Sequence, residues 1–333
     1  MSETVNIGEI ANLLSRDIFD LFHWKAHPRR DQDFACHNPR HTSKGANPKP
    51  KQTHPGDVVF FYEDPYLGRR VYLHTDLKSY SKDTIGPVKI RSAIESLAMA
   101  VECARSSSDW RTNYSAPEDG QFEIRGLLFV HNHDGTHTDQ FEKSIGKTDL
   151  STIPIAPNVY IHLLGPTDIG RLYTIANDIV RLQHQRLVPM NYSFYYPDLV
   201  MWRRRGEVSG QAATIEALTA PYFILNFEAR KDYPQGFVIY YNRPGSSPTE
   251  FEYFLDSLSR YQLLEEDKEL RIRMVSSSPA AEFLSNFEAA KARYVKAWGL
   301  DPARQQILDN IRIERVTAVA TTYNAPEIGW REK

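Results

Sequence analysis

Apolar residues recur at helical spacing near the start of the chain. Ile7, Ile10, Leu14, Ile18, Leu21 and Phe22 form one stripe and predict an amphipathic helix over 7–22, with Glu9 near its start. Two runs of strand character follow, 57–62 and 70–78, separated by a turn-rich stretch from Glu63 to Gly68 that predicts an antiparallel hairpin. Residues 86–104 return to helical periodicity, with Ile90, Ile94, Leu97, Ala98 and Val101 on one face. A strand over 122–130 runs into a polar stretch from His131 to His137. A further strand at 159–164 precedes a helix over 168–187 that Thr167 is placed to cap. The order α-β-β-α-β-β-α is that of a compact α/β domain. Beyond Pro189 the texture changes, and 191–196 with the charged run Arg203, Arg204 and Arg205 reads as a junction. Paired strands at 222–227 and 236–241, a helix at 249–264, a strand at 270–275, a helix at 280–298 and a closing strand at 311–321 predict a second, α+β domain. The expected division is therefore 1–188 and 189–333.

Composition narrows the class. The 333 residues are 41% hydrophobic and 25% charged, which suits a globular chain with a sizeable core. A net charge of -2 gives no global attraction to nucleic acid or membrane, so any nucleic-acid surface must be a local patch. Two cysteines, Cys36 and Cys103, exclude a disulfide framework and favour a reducing compartment. No apolar run reaches membrane-spanning length, and the first residues lack the basic and apolar regions of a leader, so a cytoplasmic location is expected.

Local patches do exist. Residues 25–55 carry five prolines and almost no aliphatic side chains, the pattern of a long loop inserted before the first strand. Lys25, Arg29, Arg30, Arg40, Lys44, Lys49 and Lys51 outnumber Asp31 and Asp33 there, interleaved with Trp24, Phe34 and histidines. Arg203, Arg204 and Arg205 follow Trp202. Basic groups beside aromatics suit phosphate contact and base stacking, so Lys25, Arg29, Arg30 and the Arg203–Arg205 run are the candidate nucleic-acid contacts. Either patch alone also reads as a solvated surface.

The chemistry concentrates on the hairpin. Side chains alternate along a strand, so Asp76 and Lys78 share a face, and pairing of the two strands brings Asp57 near Asp76. Two carboxylates so placed repel each other, a cost that a divalent cation removes, and oxygen ligands suit Mg²⁺. Taken singly, each residue has an ordinary reading as a turn cap or a solvated ion pair. Two other clusters stand out. Cys36, His37 and His41, with His23 or His27, offer soft ligands, but a cysteine without a Cys-X-X-Cys partner does not specify a zinc site. His131, His133 and His137, with Asp134 and Asp139, offer a second set of metal donors but read more plainly as a polar loop leaving a strand; a functional role would place them at the rim of a cleft.

Glu9 on a helix, then Pro55-Gly56-Asp57, then Asp76-Leu77-Lys78 on the next strand, then a helix, resembles the PD-(D/E)XK nuclease superfamily over about residues 5–185. The resemblance implies a restriction-endonuclease-like α/β core in which Glu9, Asp57 and Asp76 ligate Mg²⁺ (Mn²⁺ substituting) and Lys78 assists phosphodiester hydrolysis. It implies an endonuclease acting on DNA ahead of RNA, a role in bacterial restriction or anti-phage defence, no membrane, and either a homodimer or a defence-system partner protein. Two departures mark this chain: Gly56 separates Pro55 from Asp57, and the insertion before the first strand is long. A catalytically silent nuclease fold that binds nucleic acid or assembles a larger complex remains the alternative, and an interaction protein whose C-terminal half carries the function is a second.

Overall fold

A computed structural model describes residues 17–43, 47–80, 86–117, 121–132, 139–197, 211–229, 235–265, 268–297, 299 and 301–317. Glu9, Arg203–Arg205, His133, Asp134 and His137 lie outside them, as does most of the helix expected over 7–22. The described chain parts into two compact units between Gly170 and Arg171.

In the first unit a 3-10 turn at Phe19–Phe22 leads to β1 (Lys25–Ala26), β2 (Phe34–Ala35) and β3 (Thr53–His54). The hairpin strands β4 (Val58–Asp64) and β5 (Arg69–Tyr80) follow, then α1 (Pro87–Ala104), α2 (Ser108–Asn113), β6 (Phe122–Asn132), α3 (Asp139–Gly146) and β7 (Ile161–Leu164). The sheet order is β1-β4-β5-β6-β7. β1, β4 and β5 pair antiparallel, while β6 and β7 add in parallel. Alternation sorts the side chains onto two faces. Val59, Tyr72, Ile124, Leu128 and Val130 pack with Ile90, Ile94, Leu97 and Val101 of α1. Phe60, Tyr62 and Phe129 point the other way, where the Phe60 and Phe129 rings meet Phe19 and the Tyr62 ring stacks on Trp24. Both faces are covered, so the strands read as near-continuous apolar runs. α1 lies close against the sheet because Gly126 faces it. A Cβ there would come within 2.5 Å of Ile161 Cδ1 and 3.0 Å of Leu97 Cγ.

The stretch at 25–55 is not the coreless loop its composition predicts. β2 and β3 pair with each other, Thr42 bridges Pro50, and Phe34, His41 and His54 are buried. Few aliphatic residues were needed because aromatic and imidazole side chains fill the space.

α4 (Pro166–His184) begins two residues earlier than Thr167 capping would require. Pro166, with its missing N–H, suits the first helical position, and the Gly165 amide donates to the Asp168 carboxylate at 3.3 Å. Thr167 therefore lies inside the helix.

The second unit holds β8 (Ser193–Phe194), α5 (Ile215–Thr219), β9 (Tyr222–Phe227), β10 (Gly236–Tyr241), α6 (Pro248–Arg260), β11 (Glu269–Met274), α7 (Phe283–Ala297), α8 (Pro302–Asn310) and β12 (Arg312–Arg315). The expected junction at 191–196 contains strand β8. Its sheet runs β8-β9-β10-β11-β12, two antiparallel steps followed by two parallel ones. That repeats the sense of the first sheet, including a helix between the third and fourth strands. One face carries Ile224, Ile239 and Tyr241 against Phe251, Phe254 and Phe287. Toward the other, buried Arg273 forks onto buried Asp178 of α4, Nη2 to Oδ1 at 2.8 Å and Nε to Oδ2 at 3.0 Å.

Candidate active site

The hairpin register decides the geometry. Val58 pairs with Thr75, so one further step sets Asp57 against Asp76 at the end of the ladder. Both point to the α1 side, where Pro55, His74, Ser96, Leu97 and Ala100 complete the walls of a small recess. Lys78, two residues on, reaches back to Asp76 with Nζ 2.6 Å from Oδ1. Three of the four catalytic candidates thus converge in one place.

Electrostatics at the recess are strained in an informative direction. Burial, and then the charge on Asp76, push the Asp57 carboxyl up to about 6, and the two carboxyls are hydrogen-bonded to each other. A shared proton therefore relieves their repulsion. The Leu77 amide works against this by donating to Asp57 Oδ2 at 2.9 Å, which favours the ionised form. Burial pulls Lys78 down, but the Asp76 and Asp57 carboxylates outweigh it and leave the ammonium above the usual lysine range.

The turn carrying Asp57 is held from below. His74 lies on the same face of β5 as Asp76, and its Nε2 donates to the Pro55 carbonyl at 3.1 Å. Trp110 Nε1 donates to His74 Nδ1 at 3.3 Å, which fixes the tautomer. Burial keeps this imidazole neutral, with its pKa lowered to about 4. Gly56 has no room for a side chain, since a Cβ would lie 2.8 Å from both Gln32 O and Tyr114 Oη. Only glycine fits between Pro55 and Asp57.

The insertion borders the site. Its backbone follows the start of β4, with the His27, Asp31 and Gln32 amides donating to the carbonyls of Val59, Asp57 and Gly56 at 2.8, 3.1 and 3.1 Å. Lys25 and Arg29 are exposed on this strip and Arg30 is half-buried. Lys51 donates to Ser96 Oγ at 3.4 Å, on the wall of the recess itself.

The sequence model of the GAPS4 protein PD-(D/E)XK nuclease domain matches residues 1–168. The chain belongs to this family. No characterised protein and no solved structure matches it. The match covers nearly all the described residues of the first unit, which holds the mixed sheet and the Asp57, Asp76 and Lys78 cluster. PD-(D/E)XK nucleases generally use divalent metals, and the donor set suits one. Two neighbouring carboxylates hydrogen-bonded to each other form a hard oxygen site that suits a cation. The second sheet carries no such pair. At the corresponding end its helix-facing residues are Tyr222 and Tyr241, register partners whose rings pack on Phe254 at 5.0 and 4.7 Å.

Sequence reasoning missed His74 and Trp110. His74 was within reach, since two-residue alternation puts it on the face of Asp76 and Lys78. Trp110 had no local signal. His131 ends up buried in β6.

Proposed function

We propose that the chain is a Mg²⁺-dependent nuclease that hydrolyses phosphodiester bonds of DNA, and that it acts in defence against foreign DNA. The observation that carries this is the convergence of Asp57, Asp76 and Lys78 at the open end of one hairpin, in a chain of the PD-(D/E)XK family.

Asp57 and Asp76 would hold the cation, with Glu9 as a further candidate ligand. A bound Mg²⁺ supplies charge to polarise the phosphate and lowers the pKa of an attacking water. Below its pKa of about 6, Asp57 must first give up a proton, so in that range metal binding releases one. Lys78 keeps its ammonium form and stands beside Asp76, where it can donate to a phosphate oxygen as negative charge develops. Arg29 and Arg30 precede the residues that bond to the turn bearing Asp57, Lys25 lies opposite Phe61 further along β4, and together they provide the electrostatic track for the phosphate backbone. Among the described residues no helix is long and apolar enough to cross a membrane.

The test is to incubate purified protein with plasmid, linear and single-stranded DNA and with RNA, in Mg²⁺, Mn²⁺ or EDTA. Cleavage of DNA with either metal and none in EDTA is expected. Wild-type protein that binds nucleic acid but cuts nothing would instead identify a silent nuclease fold.

A further inference from the structure

A second cluster lies on the same side of the sheet as the acids and is chemically unlike them. Cys36 follows β2, His41 sits in the insertion, His54 ends β3, and Cys103 lies in the last turn of α1. Their ligating atoms all fall within 4.8 Å of one another. His41, His54 and Cys103 are buried and Cys36 is partly so. Both cysteines are free thiols.

Hydrogen bonding alone does not account for this arrangement. His41 Nδ1 is approached by Cys36 Sγ at 3.5 Å, Cys103 Sγ at 3.4 Å and His54 Nε2 at 3.4 Å. A neutral imidazole nitrogen has one lone pair and accepts one hydrogen bond, so three polar atoms crowd a single acceptor. A tetrahedral metal explains them together. With Zn–S near 2.3 Å and Zn–N near 2.0–2.1 Å, tetrahedral angles set donors about 3.3–3.8 Å apart. The observed Sγ–Sγ separation is 3.9 Å and the three separations from His41 Nδ1 are 3.4–3.5 Å, while the two sulfur-to-His54 separations stay within 4.8 Å. The surrounding groups fit as well. His41 Nε2 faces Glu102 Oε2 at 3.2 Å, and Asn38 Nδ2 donates to Glu102 Oε1 at 2.8 Å. A carboxylate on the far ring nitrogen leaves Nδ1 as the lone-pair nitrogen, the usual support of a zinc-bound histidine.

We propose that Cys36, His41, His54 and Cys103 form a Cys2His2 site for a structural zinc ion that fastens the insertion to the end of α1. Four protein ligands leave no open position, so the site is structural rather than catalytic. Its soft donors separate it from the oxygen site at Asp57 and Asp76, which selects hard cations. The location gives a long insertion with almost no aliphatic residues a further anchor to α1. It also ties the metal to the active site, because His54 immediately precedes the Pro55-Gly56-Asp57 turn.

The experiment uses the full chain and metal analysis, with no reliance on cleavage. Protein purified without added chelator should carry about one zinc per chain, and release should require thiol modification or a strong chelator. Cobalt exchanged into wild-type protein should give the intense visible bands of a tetrahedral thiolate site. Cys103→Ser should lose the metal, whereas His41→Cys should retain it with stronger sulfur-to-cobalt charge transfer. Should Cys103→Ser prove insoluble, the wild-type cobalt spectrum decides. Folded wild-type protein that takes up neither zinc nor cobalt at stoichiometry would overturn the proposal, as would Cys103→Ser with a full complement of zinc. Because these readouts ignore nuclease activity, they stand whether or not the acids prove catalytic.

Discussion

His74 Nε2 donates to the carbonyl of Pro55, so the strand that carries Asp76 also holds the turn that carries Asp57. The two halves of the candidate site are therefore joined by a partly buried contact, independent of any cation. His74→Ala leaves the Pro55 carbonyl and Trp110 Nε1 without their partner, at about 1–3 kcal/mol for the buried indole N–H. The variant should melt several degrees lower and bind Mg²⁺ more weakly. His74→Gln, which keeps a donor and an acceptor, should recover part of both losses. Unchanged melting and metal affinity in His74→Ala would show that the contact positions nothing.

Gly56→Ala tests the same turn from the opposite side. The added methyl meets Gln32 O and Tyr114 Oη at 2.8 Å, and overpacking of this kind costs about 1–3 kcal/mol. Calorimetry should show that loss, and cleavage should fall further than stability because Asp57 moves with the backbone. A variant with wild-type melting and wild-type cleavage would mean the turn relaxes freely.

Asp76→Ala and Lys78→Ala separate metal binding from assistance. Both should fold, since clustered charge at a site is a stability cost that function tolerates. Cleavage should drop about 10²-fold or more in each, the scale expected when charge positioned at a developing phosphorane is lost. Titration calorimetry should show Mg²⁺ binding lost in Asp76→Ala and kept in Lys78→Ala. Metal-dependent cleavage that survives in Asp76→Ala would place the active site elsewhere.

The pH dependence follows from Asp57. Its folded pKa, about 6, lies above the ordinary aspartate value of 3.8, so near pH 5 the folded chain holds a proton that the unfolded chain has released. That contribution to stability is present at low pH and is lost as pH rises through about 6. In EDTA, Asp57→Asn should therefore melt above wild type at pH 8, and the gap should narrow by pH 5. Mg²⁺ must displace the same proton, so wild-type affinity should be about tenfold weaker at pH 5 than at pH 8. Equal affinity at the two pH values would contradict the shared proton.

The insertion provides a test of substrate contact. Replacing Lys25, Arg29 and Arg30 with Ala should weaken DNA binding about equally for all sequences and flatten its salt dependence, as phosphate contacts do. An unchanged salt slope would take the strip out of the interface.

Local pattern was enough to read the hairpin, α1 and the acid-lysine motif. Alternation places Asp76 and Lys78 on one face by backbone geometry alone, and the α1 stripe from Ile90 to Val101 has one way to be buried. The expected strands at 222–227, 236–241 and 270–275 were legible for the same reason, that apolar side chains at a fixed period must find a common core. Long-range pairing was not legible. That His74 supports Pro55, that Trp110 orders His74, and that Tyr222 and Tyr241 stand where the other sheet has acids depend on strands and helices meeting across many residues. The cysteines make the point most clearly. Cys36 has no partner nearby in sequence, and His37 beside it is exposed. Only the packing of α1 on the sheet, permitted by the missing side chain of Gly126, carries Cys103 to within reach of Cys36, His41 and His54. Periodicity reports which face of an element is buried, whereas the choice of what lies against that face is made by shape and chemistry in three dimensions.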